Sequence, residues 1–158
     1  MPTINEPAAA HVAPVPNSGW EWHPFSDKHE VHVIKQAIWI IENRIRGFRP
    51  CNKAFQKLPG GRTFDDVWND ASVWISRDPG NQQGRFGATL GNEVTITRFS
   101  LRMGRWTTAA TLVHELAHVN GAGAGHEAEG TLLSCLLTNL HDASIMGAVE
   151  KVQTERIA

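Results

Sequence analysis

Residues 111–120 read TLVHELAHVN, in which His114 and His118 are four positions apart and Glu115 directly follows the first histidine. Leucine, valine and alanine fill most of the other positions, which favours a helix with apolar flanks. Side chains four residues apart lie one above the other on the same helix face, so both imidazoles can reach a single ion. Glu115 points slightly round the helix, where it can reach a water bound to that ion.

The residues on both sides delimit this helix. Thr107 or Thr108 is the expected N-cap, and the run GAGAG at 121–125 stops the helix near Asn120, because clustered glycines favour a turn. A further helix is expected to begin near His126 and to continue through a set of apolar residues that share its helical spacing: Leu132, Leu133, Leu136, Leu137 and Leu140.

Three polar residues directly after the turn are candidates for a third metal ligand: His126, Glu127 and Glu129. The turn reverses the chain, so the start of the next helix should face His118. His126 is the first choice, because a neutral imidazole suits zinc and lies at the turn. Glu129 is the close alternative, one helical turn further on the same face. The residue that does not bind the metal would orient a ligand.

The motif His114-Glu115-Leu-Ala-His118 resembles the signature of the zincin superfamily of zinc metallopeptidases. The resemblance implies that both histidines bind Zn²⁺, and that Glu115 activates the attacking water and passes its proton to the leaving amine. It implies an α+β, minimal zincin-like fold, in which a small β-sheet packs on helices that include the active-site helix. The third ligand departs from one branch of the superfamily: where metzincins have a third histidine, this chain has Ala124. The sequence does not distinguish zinc from another divalent metal at this site.

Oxyanion stabilisation is a second open point. Many zincins use a tyrosine or histidine, but this chain contains no tyrosine. His141, Arg102 or Arg105 would have to serve, or the metal would act alone.

The rest of the chain predicts one domain. Residues 1–19 contain four prolines and are interpreted as a flexible arm or linker, which leaves 20–158 as a single zincin-like catalytic domain. The remaining predicted elements are a helix over 27–48, a short helix over 51–58, a strand over 72–77, a loop with a possible short strand over 81–90, and a strand over 93–99. By analogy with zincins, strand 93–99 either pairs with an extended peptide or is an ordinary internal strand.

Two further residue pairs are expected to be structural. Cys51 and Cys135 are too few and too far apart to define a disulfide framework, and two small buried apolar residues are favoured over a bridge. His29 and His32 lie one turn apart, but surface or packing roles are favoured over metal binding.

Charge and hydropathy limit the partners. Fifteen basic residues against sixteen acidic ones give a net charge of −1, which offers no electrostatic reason to expect nucleic acid or an anionic membrane. The sequence shows neither an ordinary secretory signal nor a transmembrane segment, so work outside the producing cell would require a specialised secretion system.

The function expected from these features is zinc-dependent hydrolysis of a peptide bond in a peptide, a protein or the peptide stem of peptidoglycan. The layout and the run GATLG…HELAH resemble toxin domains that bacterial secretion systems deliver, which would imply a cognate immunity protein. Two alternatives remain open: an intracellular regulatory peptidase, and a non-catalytic interaction module in which zinc braces two helices.

Overall fold

A mixed β-sheet forms one layer of the protein in the computed structural model, which describes residues 1–9, 11, 13–15, 20–80 and 85–137. The four strands are β1 (Thr3–Ile4), β4 (Trp74–Asp78), β5 (Gly87–Leu90) and β6 (Glu93–Thr97). Their order in the sheet is β1-β4-β6-β5. Strand β4 is parallel to β1 and β6, whereas β5 is antiparallel to β6. A separate antiparallel hairpin joins β2 (Ala13–Val15) to β3 (Trp20–Trp22).

Six α-helices occur within the described residues and make the fold α+β. They are α1 (Lys28–Ile40), α2 (Arg49–Gln56), α3 (Phe64–Trp68), α4 (Arg98–Met103), α5 (Arg105–Val119) and α6 (Glu127–Ser134). A π-helical turn, Ile41–Ile45, continues α1. In the part of the chain that the structure describes, no helix is both long and apolar enough to cross a bilayer.

Helix α5 lies at the centre of the fold. It packs against α1, α4 and α6 and against strands β5 and β6. Leu112, Val113, Leu116 and Ala117 are fully buried in this interior. Because α5 is surrounded by packed elements, its backbone is a rigid support for the polar side chains that it carries.

The helix boundaries refine the predictions. Helix α1 has Asp27 as its N-cap, and that side chain accepts a hydrogen bond from the Glu30 N–H at 2.9 Å. The expected cap of α5 at Thr107 or Thr108 is wrong: Gly104 precedes the first turn, and both threonines are buried inside the helix. Local sequence favoured threonine because it caps well, but here the Thr108 hydroxyl donates to the Gly104 carbonyl oxygen at 2.9 Å, one turn back, as threonines inside helices do.

The helix after the glycine-rich turn is shorter than expected. It ends at Ser134, and Leu136 adopts a positive φ of 62°, which no helix continues through. Leu140, the last of the apolar residues expected on this helix, lies outside the described residues. The region expected to be a loop covers residues 81–90, of which 81–84 lie outside the described residues. The short strand that this region allowed is present as β5.

The N-terminal residues are attached to the sheet, which corrects the expectation of a flexible arm at the positions that the structure describes. Strand β1 pairs with β4, and the buried Asn5 donates a hydrogen bond to Ser76 Oγ at 3.0 Å. The imidazole of His11 stacks on Trp74 with ring centroids 4.1 Å apart. A proline-rich composition therefore did not prevent this segment from adding a strand.

A disulfide joins Cys51 in α2 to Cys135 directly after α6, so the expectation of two unpaired cysteines is wrong. Both residues are fully buried, and their Cα atoms are 4.4 Å apart. The sequence separation of 84 residues gave no signal for pairing. The packing of α2 against α6 is what brings the two sulfur atoms together.

Candidate metal centre

Helix α5 directs two histidine side chains to the same point. The Nε2 atoms of His114 and His118 are 3.2 Å apart, and the two rings meet edge to face. Four residues span just over one helical turn, so the helix geometry alone produces this convergence. Both side chains are half-buried and line one cavity.

The hydrogen bonding of His118 identifies the nitrogen that can bind a metal. Its Nδ1 lies 2.9 Å from the carbonyl oxygen of Ala122, and a carbonyl can only accept, so Nδ1–H donates. Nε2 of the neutral ring then carries the lone pair, and it is the atom that faces His114. A carbonyl that fixes the tautomer of a ligand in this way is the usual support for a metal-binding histidine.

The separation of the two nitrogens fits a tetrahedral ion. Zinc–nitrogen bonds of about 2.0–2.1 Å at a tetrahedral angle would place the two nitrogens about 3.3 Å apart. The observed 3.2 Å matches that spacing without rearrangement. The two imidazoles therefore fit a zinc ion or a divalent metal of similar coordination.

Glu115 lies beside this pair and is held by the edge of the sheet. Only 6% of the residue is exposed, and its Oε2 accepts a 2.6 Å hydrogen bond from Thr89 Oγ1 on β5. Burial raises the pKa of the Glu115 carboxyl above its ordinary value. The Thr89 hydrogen bond and the charges of His118 and Arg85 oppose this rise. The arrangement is that of a carboxylate prepared to accept a proton.

Gly87 permits the close approach of β5 to α5. A Cβ atom at this position would lie 2.5 Å from the Thr95 carbonyl oxygen, 2.9 Å from Thr111 Cγ2 and 3.2 Å from Glu115 Cγ. A larger residue would therefore push the edge strand away from the helix. The first glycine of the GATLG run is thus required for contact between the strand and the site.

The end of α5 is fixed by Asn120, a residue whose role was not predicted. Its side-chain Nδ2 donates to the main-chain carbonyl oxygens of Phe55 and Arg62, both at 2.9 Å. The main-chain carbonyl oxygen of Asn120 accepts from the Gly60 N–H at 2.8 Å. Gly60 has no room for a side chain, since a Cβ there would lie 2.3 Å from Asn120 Oδ1. The only sequence signals were an asparagine at a helix end and the Pro-Gly-Gly break far upstream.

A cavity of about 600 Å³ opens over the two histidines and Glu115. Its two rims are β5 with the following turn and the loop after α5. Most of the residues on these rims are small: Gly87, Ala88, Gly91, Ala122, Gly123 and Ala124. Small side chains on both rims leave access to the histidine nitrogens from solvent.

The candidates for a third ligand are placed differently from one another. His126 is exposed at the N-cap of α6, and Glu127 is exposed beside the groove between α2 and α6. Glu129 is half-buried, and no hydrogen-bond partner of its buried Oε2 occurs among the described residues. The same part of the chain contains no group of three His, Cys, Asp or Glu side chains close enough to hold an ion. Within the described ranges, the structure thus brings together two of the predicted ligands and Glu115, but not a third ligand.

The other predicted polar residues that the structure describes do not line this cavity. Arg102 and Arg105 are exposed and are absent from the cavity lining, and His141 lies outside the described residues. His29 and His32 are exposed on α1, as expected for surface histidines.

Comparisons with protein-family models, curated proteins and solved structures give no match for this chain.

Proposed function

We propose that this protein is a zinc-dependent peptidase with a minimal zincin-like fold. The observation that carries the proposal is the convergence of the His114 and His118 Nε2 atoms beside the buried Glu115 at the base of an open cavity. The motif alone gives the spacing along the helix. The tautomer fixed at His118 and the hydrogen-bonded carboxylate add the features that a hydrolytic zinc site needs.

The roles of the residues follow from their chemistry. His114 and His118 would hold the ion, which when bound supplies a Lewis acid that acidifies water and polarises a carbonyl. Glu115 takes the proton of the attacking water and delivers it to the nitrogen of the leaving amine. Burial raises the pKa of the Glu115 carboxyl, which makes it a stronger base for the first step than an exposed carboxylate would be.

Glu129 is the candidate third ligand that the burial pattern favours, although it does not line the cavity and the described residues contain no group of three such side chains close enough to hold an ion. A buried carboxylate oxygen without a hydrogen-bond donor is costly unless a cation or a proton compensates it. His126, the first choice from sequence, is exposed and needs no such compensation. Glu129→Gln should therefore weaken zinc binding at least about tenfold, and His126→Ala should leave it nearly unchanged. The reverse order would assign the ligand to His126.

An extended peptide is the substrate form that the site favours. The strand expected to pair with it, 93–99, corresponds to β6, which already lies between β4 and β5 and has no free edge. Strand β5 is the edge on this side among the described strands. Thr97 N–H donates to Phe86 O, so the alternation of an antiparallel pair turns the backbone groups of Gly87 and Thr89 outwards. These groups can pair with a substrate strand beside the cavity.

The disulfide favours export over an intracellular role. Disulfides persist in oxidising compartments and are rare in the cytosol, where thiols are kept reduced. The Cys51–Cys135 bond is buried and joins two helices, as expected for a structural bond. It therefore supports a protein that works outside the cytosol, in line with a toxin delivered to another cell. The substrate would then be a protein or the peptide stem of peptidoglycan.

A non-catalytic zinc brace is less well supported. A structural site is closed by four protein ligands, whereas here the histidine nitrogens face an open cavity. A brace also has no use for a buried carboxylate next to the ligands, which costs stability.

The test compares the zinc-loaded wild type with Glu115→Gln and with Glu6→Gln, a matched surface control. Cleavage of a peptide library is followed by mass spectrometry, and zinc content is measured on the same samples. We expect Glu115→Gln to keep its zinc and to lose about 10²-fold or more in rate, while Glu6→Gln behaves like the wild type. A zinc-loaded wild type that cleaves no peptide bond, or a fully active Glu115→Gln, would contradict the proposal.

A further inference from the structure

Thr89 contacts Glu115 in a way that the packing of the strand on the helix does not require. Its Oγ1 is 2.6 Å from Glu115 Oε2 and 3.1 Å from the main-chain carbonyl oxygen of the same residue. A hydroxyl has one hydrogen, and the shorter contact with a charged acceptor is the stronger bond. The hydroxyl thus holds one particular oxygen of the carboxylate.

The other carboxylate oxygen is left for the cavity. Glu115 lines the cavity, and no group in the described ranges hydrogen-bonds to its Oε1. Oε1 does not occur among the buried polar atoms that lack a hydrogen-bond partner. Since it has no partner in the described ranges, it is accessible to solvent. A hydrogen bond to Oε2 alone restricts rotation of the carboxylate, so Oε1 keeps one orientation in a residue that lines the cavity.

Thr89 is itself held by the sheet. It pairs with Val94 of β6, and its side chain leaves β5 on the same face as Gly87, which permits the close approach to α5. The orientation of the carboxylate therefore depends on the edge strand as well as on the helix. This is an arrangement in which the strand beside the cavity sets the direction of the base.

From this geometry we infer that Thr89 is the positioning residue for Glu115: its hydroxyl fixes Oε2 so that Oε1 faces the reacting water. The inference rests on the proposed function. A positioning role differs from simple attachment of β5 to α5, because it acts on the chemical step and requires only the hydroxyl. Small displacements of a catalytic group are enough to change rates substantially.

The experiment uses the 158-residue, disulfide-bonded, zinc-loaded chain and two substitutions at one position. Thr89→Val keeps the shape and removes the hydroxyl, and Thr89→Ser keeps the hydroxyl. We expect Thr89→Val to lower kcat by about 10- to 100-fold with KM changed less than about threefold. Thr89→Ser should retain kcat within about threefold, and both variants should hold as much zinc as the wild type.

A second readout does not depend on activity. In the zinc-free protein, Thr89→Val should lower the thermal midpoint by about 2–4 °C, because the bond to the carboxylate is lost. The same substitution should have less than half of that effect when Glu115 is already alanine, since the partner is gone.

The outcomes separate this inference from the function itself. A wild type that hydrolyses no peptide contradicts the proposed function. An active wild type with an equally active Thr89→Val, or equal losses in Thr89→Val and Thr89→Ser, overturns only the role of Thr89. Equal thermal shifts with and without the Glu115 carboxylate would show that the two side chains are not bonded, and would also overturn the inference.

Discussion

Removal of the Cys51–Cys135 disulfide should destabilise the protein strongly. The bond closes a loop between residues 84 positions apart, so it restricts a large part of the unfolded chain. The chain-entropy relation for a loop of that length gives about 4.6 kcal/mol at 25 °C, within the usual range of about 2–5 kcal/mol for native disulfides. Domains of this kind have a total unfolding free energy of about 5–15 kcal/mol, so the loss is a large fraction.

Urea unfolding measures the effect. The oxidised wild type is compared with the wild type in a strong reductant and with the double variant Cys51→Ala, Cys135→Ala. Both comparisons remove the covalent closure, but the reduced wild type retains the two buried sulfur atoms. We expect a lower unfolding midpoint in both cases, with a larger loss in the double variant because it also leaves small cavities.

Two outcomes would overturn the expected role of the disulfide. Two titratable thiols in denatured protein prepared without reductant would show that the cysteines are not paired. If that titration finds no free thiol, but removal of the disulfide lowers the unfolding free energy by less than about 1 kcal/mol, then loop closure contributes little to stability.

Three further predictions concern stability measured by the same urea method. Gly87→Ala should cost about 2–3 kcal/mol, because the new Cβ would lie 2.5 Å from the Thr95 carbonyl oxygen. Its control, Gly130→Ala inside α6, meets no atom within 4 Å and should stabilise the protein by about 0.5–1 kcal/mol. Equal effects of the two substitutions would contradict the packing argument. Asn120→Asp should cost about 3 kcal/mol, since a carboxylate cannot donate to the two carbonyl oxygens that the amide binds. A variant as stable as the wild type would show that these hydrogen bonds are dispensable. Hydrogen bonds from Ser72 and the charge of Arg62 lower the pKa of Asp70 in the folded protein. The ionised Asp70 carboxylate therefore stabilises the fold at pH values above its unfolded pKa of about 3.9. This contribution is lost as the pH falls through the lower pKa of the folded state. The stability difference between the wild type and Asp70→Asn should therefore shrink between about pH 5 and pH 2, and a constant difference would rule out this linkage.

The helices with a strong local pattern could be predicted from the sequence. The apolar stripe of α1, with Ile34, Ala37 and Ile38, is buried as the period predicts. The convergence of His114 and His118 is likewise a local consequence of four-residue spacing on a helix. In both cases the relevant contacts are set within one or two helical turns.

The features that the sequence did not predict all depend on contacts between distant residues. Cys51 meets Cys135 only because α2 packs on α6, and Asn120 binds a loop some sixty residues upstream. The bond between Thr89 and Glu115 joins an edge strand to a helix. Spacing along the chain carries no information on such pairs, because their geometry arises only when the elements pack.

The metal content of the gently purified protein, measured by inductively coupled plasma mass spectrometry, shows whether His114 and His118 hold an ion. The wild type is compared with the double variant His114→Ala, His118→Ala. Circular dichroism verifies that the variant is folded to the same extent as the wild type. We expect one zinc or similar divalent ion per wild-type chain, and none in the double variant. If the wild-type chain neither retains nor takes up a stoichiometric divalent ion, the proposed metal site is wrong, and the histidine pair is an ordinary feature of a helix surface.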